Sequence, residues 1–357
     1  MHKQKTAVIC LSPVNGGMEL AALKLAKLLC SDVEVEFIAK KEGFLASNPE
    51  HFQSFPIKLH LVDFRMNFSL KLILHLRKIF IESKVKNIIF LGASEMKSLY
   101  FAALGLDINF IIRQGSKKTT SKKDMIHKLL YSHVNHFVGN CEYIKQNILD
   151  ILPVPKSAKV HRIYSSLKLE ENVTFKEYDG VIALIHVGRV HPGKGQFETI
   201  RACEVLHQKG FAFSLKFLGD IQDKNYHAMM KKYLQTTEYT DSVEFVGYTS
   251  KVKQYLQKSD IFIFPSLGEG MSNAIIESLG FGLIPIIYND TSSPEFKDLG
   301  FHLHLTKENS IESLQETLLK VARNINDEKL QARQNHERAL NVFAPQREKD
   351  EYMELLI

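Results

Sequence analysis

Four side chains on glycine-bearing segments have the types and spacing for work on a phosphorylated sugar: Arg189, Lys194, Glu269 and Glu277. The two carboxylates lie in the stretch from Phe264 to Ile287, FPSLGEGMSNAIIESLGFGLIPII. Gly268 and Gly270 let a backbone come close to a ligand. Ser272 or Asn273 then opens and caps a helix whose buried side is Ala274, Ile275, Ile276 and Leu279. The unpaired N–H groups and the positive end of that helix, through Gly270, Met271, Ser272 and Asn273, suit a phosphate or a polarised hydroxyl, while carboxylates accept hydrogen bonds from further hydroxyls. Upstream, the apolar run Ile182 to Val187 leads into GRVHPGKGQFETI, with Gly188, Gly193 and Gly195 around two cations. Arg189 as a planar fork and Lys194 as a mobile point charge form a diphosphate clamp. Strand, glycine turn and helix also make an ordinary α/β unit, and only the two segments together raise the reading above that.

Such loops need strands to hold them, and the chain supplies two sets. Thr6 to Leu11, Val33 to Ala39, Ile57 to Leu61, Ile88 to Leu91, Phe110 to Arg113 and His136 to Val138 read as strands. Helical patterns separate them, such as Phe68 to Ser83 with Leu72, Leu76, Ile79 and Phe80 on one side. Ile182 to Val187, Ser214 to Leu218, Val243 to Val246, Ile261 to Phe264 and Leu283 to Ile287 repeat the scheme. This alternation predicts two doubly wound parallel-sheet α/β domains, and 357 residues exceed what one core usually holds. The expected division is 1–165, a polar and acidic linker 166–180, a second domain 181–344, and a tail 345–357 returning to the first domain. Ile311 to Asn341 reads as helix interrupted by Pro345. The first strand is followed by Gly16 and Gly17, then Glu19, without the GxGxxG spacing of dinucleotide binders, which removes support for hydride transfer.

GRVHPGKG, followed some way downstream by PSLGEGMSNAIIES, resembles the signature of the retaining two-Rossmann-domain (GT-B) glycosyltransferases of family 4, the glycosyl transferases group 1. The resemblance is clear in the C-terminal half and weaker in the N-terminal half. It implies two Rossmann-like domains facing a cleft that closes over the substrates, and transfer of a sugar from a nucleotide-diphosphate sugar, such as a UDP-sugar, to a glycan or lipid-linked hydroxyl. The anomeric configuration is retained, in cell-surface polysaccharide or lipopolysaccharide biosynthesis. In that scheme Arg189 and Lys194 stabilise the leaving diphosphate, Glu269 holds the transferred sugar and Glu277 the ribose. Gly247 and Tyr248 border the base, and Gly16 and Gly17 approach the donor phosphates. Many relatives carry a His after the strand that here ends Ile112-Arg113-Gln114-Gly115, so that role passes to no residue. A two-Rossmann nucleotide-sugar epimerase and a non-catalytic sugar-nucleotide-binding subunit remain as alternatives.

No metal and no cofactor is expected. The histidines, His186, His191, His302 and His304 among them, are scattered over strands and loops without a ligand triad, and no Asp-x-Asp pair is placed as in metal-dependent transferases. Cys10, Cys30, Cys141 and Cys203 lack the spacing of a zinc site or a disulfide framework. A net charge of +6 suits acidic ligands without any nucleic-acid motif. In RQGSKKTTSKKDMIHKLLY, Lys117, Lys118, Lys122 and Lys123 stand beside Met125, Ile126 and Leu129. That stretch is either a face for an anionic membrane or a solvated loop before a packed helix. The apolar run Ala7 to Leu11 is too short for a signal or a membrane span, so a cytoplasmic protein is expected, peripheral on the inner membrane face if the basic stretch meets lipid.

Overall fold

The structure is a computed structural model and describes residues 3–14, 16–92 and 94–356. It divides into two compact units, Met1–Ser165 with Pro345–Ile357, and Ser166–Ala344.

In unit 1, β1 (Lys5–Cys10), β2 (Glu34–Lys40), β3 (Ile57–Val62), β4 (Asn87–Leu91), β5 (Asn109–Gln114), β6 (His136–Gly139) and β7 (Lys159–Arg162) form one sheet in the order β3-β2-β1-β4-β5-β6-β7. Every pairing is parallel. A parallel sheet hides both faces, which is why the central strands read as unbroken apolar runs: Ala7 to Cys10 and Ile88 to Leu91 are buried throughout. The covering helices bury one stripe each. Leu70–Glu82 begins at Ser69, whose hydroxyl accepts from Leu72 N at 3.4 Å, and turns Leu72, Ile73, Leu76, Ile79 and Phe80 inward. Gly17–Leu29 packs Ala22, Leu25, Ala26 and Leu29 into the same core as Tyr352 and Leu355 of the C-terminal segment. The helix Pro345–Met353, with proline as its first residue, is further tied to unit 1 by a Lys24–Glu348 ion pair at 2.9 Å.

Unit 2 carries β8 (Ile182–Val187), β9 (Phe213–Leu218), β10 (Val243–Gly247), β11 (Ile261–Phe264), β12 (Ile284–Tyr288) and β13 (His304–Thr306), parallel in the order β10-β9-β8-β11-β12-β13. From β8 the chain moves out to β9 and β10, then returns past β8 to β11. The strand order therefore reverses between β8 and β11, the point where open α/β sheets leave a crevice at their C-terminal ends.

At three places the structure departs from the sequence reading or adds to it. Edge strands β7 and β13 were not anticipated, because KVHR and HLT are short and half exposed and show no apolar run. The expected helix over 311–341 is two helices, Ile311–Arg323 and Ile325–Val342, parted at Asn324. Residues 166–180 lack regular structure, as expected of a linker, but are stitched along unit 2. Leu169 fills the space beside Gly280, where a Cβ would come within 2.8 Å of it. Phe175 meets His336 edge-on at 5.7 Å, and Lys176 reaches the buried Asp260 at 2.8 Å. Asp260 also accepts from Ala183 N at 2.9 Å and pairs with Lys329, so its buried charge is fully answered.

Candidate active site

The loops after β8 and β11 rest directly on one another at the switch point of unit 2. Gly195 holds φ +75°, and a Cβ there would lie 2.2 Å from Pro265 O, so only glycine permits this approach. Leu267 N donates to Gly193 O at 3.1 Å across the two loops. From beneath, the wholly buried His186 donates through Nε2 to Lys194 O at 2.8 Å, and Gln196 donates to Arg189 O at 2.9 Å. Burial drives the His186 pKa down to about 4, so the ring is neutral and serves as a fixed strut for the loop. His186 and Gln196 were missed as positioning residues; their only sequence signal is a polar residue inside an apolar strand and one at a helix start.

This packing brings two of the expected residues into contact. Lys194 Nζ pairs with Glu269 Oε1, and both side chains keep some exposure. Ser266 Oγ sits 2.6 Å from the same carboxylate oxygen and 3.2 Å from Gly193 O. The loop after β12 holds the Glu269 loop from the far side: Thr291 Oγ1 donates to Glu269 O at 2.6 Å, Ser292 Oγ to Gly270 O at 2.7 Å, and Asp290 Oδ2 accepts from Gly268 N at 2.5 Å. The helix Asn273–Gly280 begins at Ser272, whose side chain makes no capping bond, contrary to the expected cap. Its first N–H groups are thereby left to a ligand or water. Met271 turns its side chain into the core, so it offers the site only backbone.

The other expected residues stand apart from that pair. Arg189, on the same loop as Lys194, is exposed, with no hydrogen-bond or ion-pair partner for its guanidinium among the described residues. Glu277 is half buried; burial raises its carboxyl pKa, and Lys253 opposes that shift. Gly247 ends β10 at φ +79° and accepts from Gly219 N at 2.9 Å, while the Tyr248 ring is 82% exposed. An exposed ring at a strand end is available to stack on a flat ligand.

Unit 1 has its own switch point, between β1 and β4. Gly16 precedes and Gly17 opens the helix Gly17–Leu29; Asn15 of the same loop lies outside the described residues. A Cβ at Gly16 would come 3.0 Å from Glu19 Oε2, and Glu19 is buried, its Oε1 without a hydrogen-bond partner among the described residues. After β4, burial raises the carboxyl pKa of Glu95, relieved in part by Lys40 and Lys122. Glu95 was missed, since one acid after an apolar strand gives little signal. Gln114, at the strand end where many relatives carry His, spends its amide on Asn147 at 2.8 Å.

The structure alters two expectations for charged and metal-ligating groups. Of the four lysines proposed for a membrane face, Lys122 turns inward: burial lowers its pKa and Glu95 faces it. Lys117 lies 5.6 Å over the Tyr143 ring, while Lys118 and Lys123 are exposed beside the exposed Met125, Ile126 and Leu129. The premise that the histidines lack a ligand triad also fails. His302, His304 and Glu328 hold their ligating atoms within 4.8 Å of one another, well away in sequence from the Lys194–Glu269 pair. Among the described residues, no helix is long and apolar enough to cross a membrane.

Residues 159–339 match the model of the family described as glycosyl transferases group 1. A capsular polysaccharide biosynthesis glycosyltransferase of Staphylococcus aureus, CapH, is 25% identical over 82% of this chain and 84% of its own. Among solved structures, a glycosyltransferase of Rickettsia africae superposes with a TM-score of 0.82 at 16% identity, covering 99% of this chain and 98% of its own. The Anabaena protein HepE in complex with UDP gives 0.80 at 14%, covering 98% of each. With the family model spanning half of the chain and the glycine loops, their cations and their carboxylates at one switch point, this chain belongs to the glycosyl transferases group 1, a glycosyltransferase with the GT-B pair of parallel α/β units.

Proposed function

We propose that the chain transfers a sugar, with retention, from a nucleoside-diphosphate sugar to a hydroxyl of a glycan or lipid-linked acceptor in the assembly of a cell-surface polysaccharide. The observation that carries this reading is the Lys194–Glu269 pair, held at the switch point by Ser266, Thr291 and the loop after β8. CapH, named for capsular polysaccharide biosynthesis, supports the pathway class, and HepE, solved with UDP, supports uracil as the base.

Breaking the anomeric bond leaves negative charge on the diphosphate. Arg189 and Lys194 answer that charge together with N–H groups at the start of the helix Asn273–Gly280, so metal-free catalysis is the proposed mode. Lys194 is engaged by Glu269. Arrival of the diphosphate draws Lys194 to the phosphates and frees Glu269 to accept from hydroxyls of the transferred sugar, with Ser266 keeping one bond to it. The positive charge is thus stored beside its eventual partner and needs little rearrangement. Glu277 accepts from the ribose hydroxyls, and Tyr248 stacks on the base. Glu269 is assigned to hydroxyls of the transferred sugar and not to a covalent bond with it, and the proposed route is same-face attack with the leaving phosphate taking the acceptor proton.

The exposed Lys118 and Lys123 beside Met125, Ile126 and Leu129 give unit 1 a basic face with an apolar stripe, suited to an anionic membrane carrying a lipid-linked acceptor. Incubation with a panel of nucleotide sugars and acceptors tests the proposal. Nucleoside diphosphate and a glycosylated product are expected in equal amounts; a changed donor sugar would mark an epimerase, and saturation without turnover a binding subunit.

A further inference from the structure

At the edge of the unit 2 sheet, His302 and His304 turn both Nε2 atoms toward one oxygen of Glu328, at 2.6 and 2.7 Å. Alternation along an extended segment puts positions 302 and 304 on one side, and the rings meet edge to face, 5.4 Å apart at 82°. Each ligand sits on a braced support. Asn335 accepts from His302 N at 2.8 Å and donates to His302 O at 2.7 Å, pinning the backbone just before β13. His304 is registered against Ile286 of β12, and Glu328 lies in the first turn of the helix Ile325–Val342, whose Ile325 and Ala332 are in the core. The His302 and His304 side chains remain 25% and 15% exposed, so water has access on the open side.

We propose that His302, His304 and Glu328 bind one zinc-type divalent ion that staples the edge strand β13 to the helix Ile325–Val342. Two imidazoles and one carboxylate are the donor set of zinc sites that keep a water as fourth ligand, and nitrogen donors disfavour magnesium and calcium. Zinc–ligand bonds of about 2.0 to 2.2 Å in a tetrahedron place ligand atoms roughly 3.3 Å apart. The ion therefore enters by moving each imidazole nitrogen less than about 1 Å off the carboxylate oxygen while the two nitrogens, which lie within 4.8 Å of one another, settle to the same spacing, within the freedom of side chains on a fixed backbone. His304 lies level with Ile286, two residues before the end of β12, whereas the Glu269 loop is pinned by residues beyond that end. The ion would hold the sheet edge and take no part in sugar transfer. Covering an otherwise short and open edge strand is a use proteins commonly need.

The test uses the full chain stripped with chelator, then titrated with zinc against a chromophoric competitor, with cobalt as a spectroscopic substitute. One saturable ion per chain is expected, with a rise of several degrees in Tm and visible cobalt bands lacking thiolate charge transfer, since all four cysteines are buried. His302→Ala and His304→Ala should each weaken binding at least tenfold, Glu328→Gln likewise, and His161→Ala not at all. Absence of a saturable site in the wild type, or unchanged affinity in folded His302→Ala/His304→Ala protein, overturns the proposal. Should the double variant unfold, His302→Gln alone decides it: an unchanged cobalt spectrum counts against the site. Sugar transfer should survive stripping below the apo Tm, so failure of this site and failure of the transferase reading give different results.

Discussion

Replacing Lys194 with Ala removes the cation that the structure holds in contact with Glu269, and the loss should fall on chemistry. A hydrogen bond to a charged group contributes about 1.5 to 3 kcal/mol. At roughly 1.36 kcal/mol per tenfold, losing one such bond to the departing diphosphate predicts a fall in kcat/KM of about 10-fold to 150-fold. A second effect acts in the same direction. Without Lys194, Glu269 stays as an uncompensated carboxylate beside Ser266 and repels the incoming diphosphate, so KM should rise as well as kcat fall. Folding should suffer little, because the pair is partly exposed and such pairs contribute only about 1 kcal/mol or less. Steady-state release of nucleoside diphosphate, with circular dichroism on the same samples, reads both quantities. A folded Lys194→Ala protein with kcat/KM within threefold of wild type would refute the clamp, and equal losses in Lys194→Ala and a folded Glu269→Ala/Lys194→Ala protein would mark the pair as a unit.

His186 makes stability depend on pH. Its pKa is depressed to about 4 in the folded chain against an ordinary value of 6.5, so its contribution is present above pH 6.5 and drains away as pH falls toward 4. The full loss is on the order of 3 kcal/mol, visible as a falling Tm over that window that flattens in His186→Asn. Glu277 runs the other way. Its carboxyl pKa is raised by burial, so ionisation costs stability as pH climbs from the ordinary Glu value through the raised one. Glu277→Gln should melt higher than wild type at neutral pH while binding diphosphate less well. On vesicles of anionic lipid, Lys118→Ser/Lys123→Ser should weaken binding by about 1 kcal/mol per lysine, roughly fivefold each, whereas Lys122→Ser changes little because that side chain faces Glu95. Binding equal to wild type in the double variant would leave the stretch a solvated loop.

The two parallel-sheet units and the glycine loops at their strand ends were legible because both depend on local pattern. Apolar runs of strand length mark central parallel strands, and glycines beside Arg189, Lys194 and Glu269 mark loops at strand ends. What escaped depends on contacts that only the folded chain creates. Nothing near His186 says that its ring supports Lys194 O, and nothing near Glu328 says that two histidines converge on it. Lys122 looks like its basic neighbours until Glu95, from another loop, is placed beside it. The edge strands β7 and β13 carry half-exposed polar residues, so periodicity does not separate them from loops. Residues 166–180 are polar enough to read as a linker, yet Leu169, Phe175 and Lys176 each find a partner on unit 2 that only the folded chain supplies.

The central claim is that unit 2 holds the nucleotide sugar with its roles divided between two glutamates. Calorimetric titration of UDP and of the intact UDP-sugar into folded Glu269→Ala and Glu277→Ala proteins tests it most directly. Loss of two ribose hydrogen bonds to a charged acceptor predicts that Glu277→Ala weakens both ligands by at least tenfold. Glu269→Ala should weaken the UDP-sugar and leave UDP nearly unchanged or slightly tighter, since Lys194 is released from its partner. Equal losses of UDP affinity in the two variants, or none in either, would contradict the account.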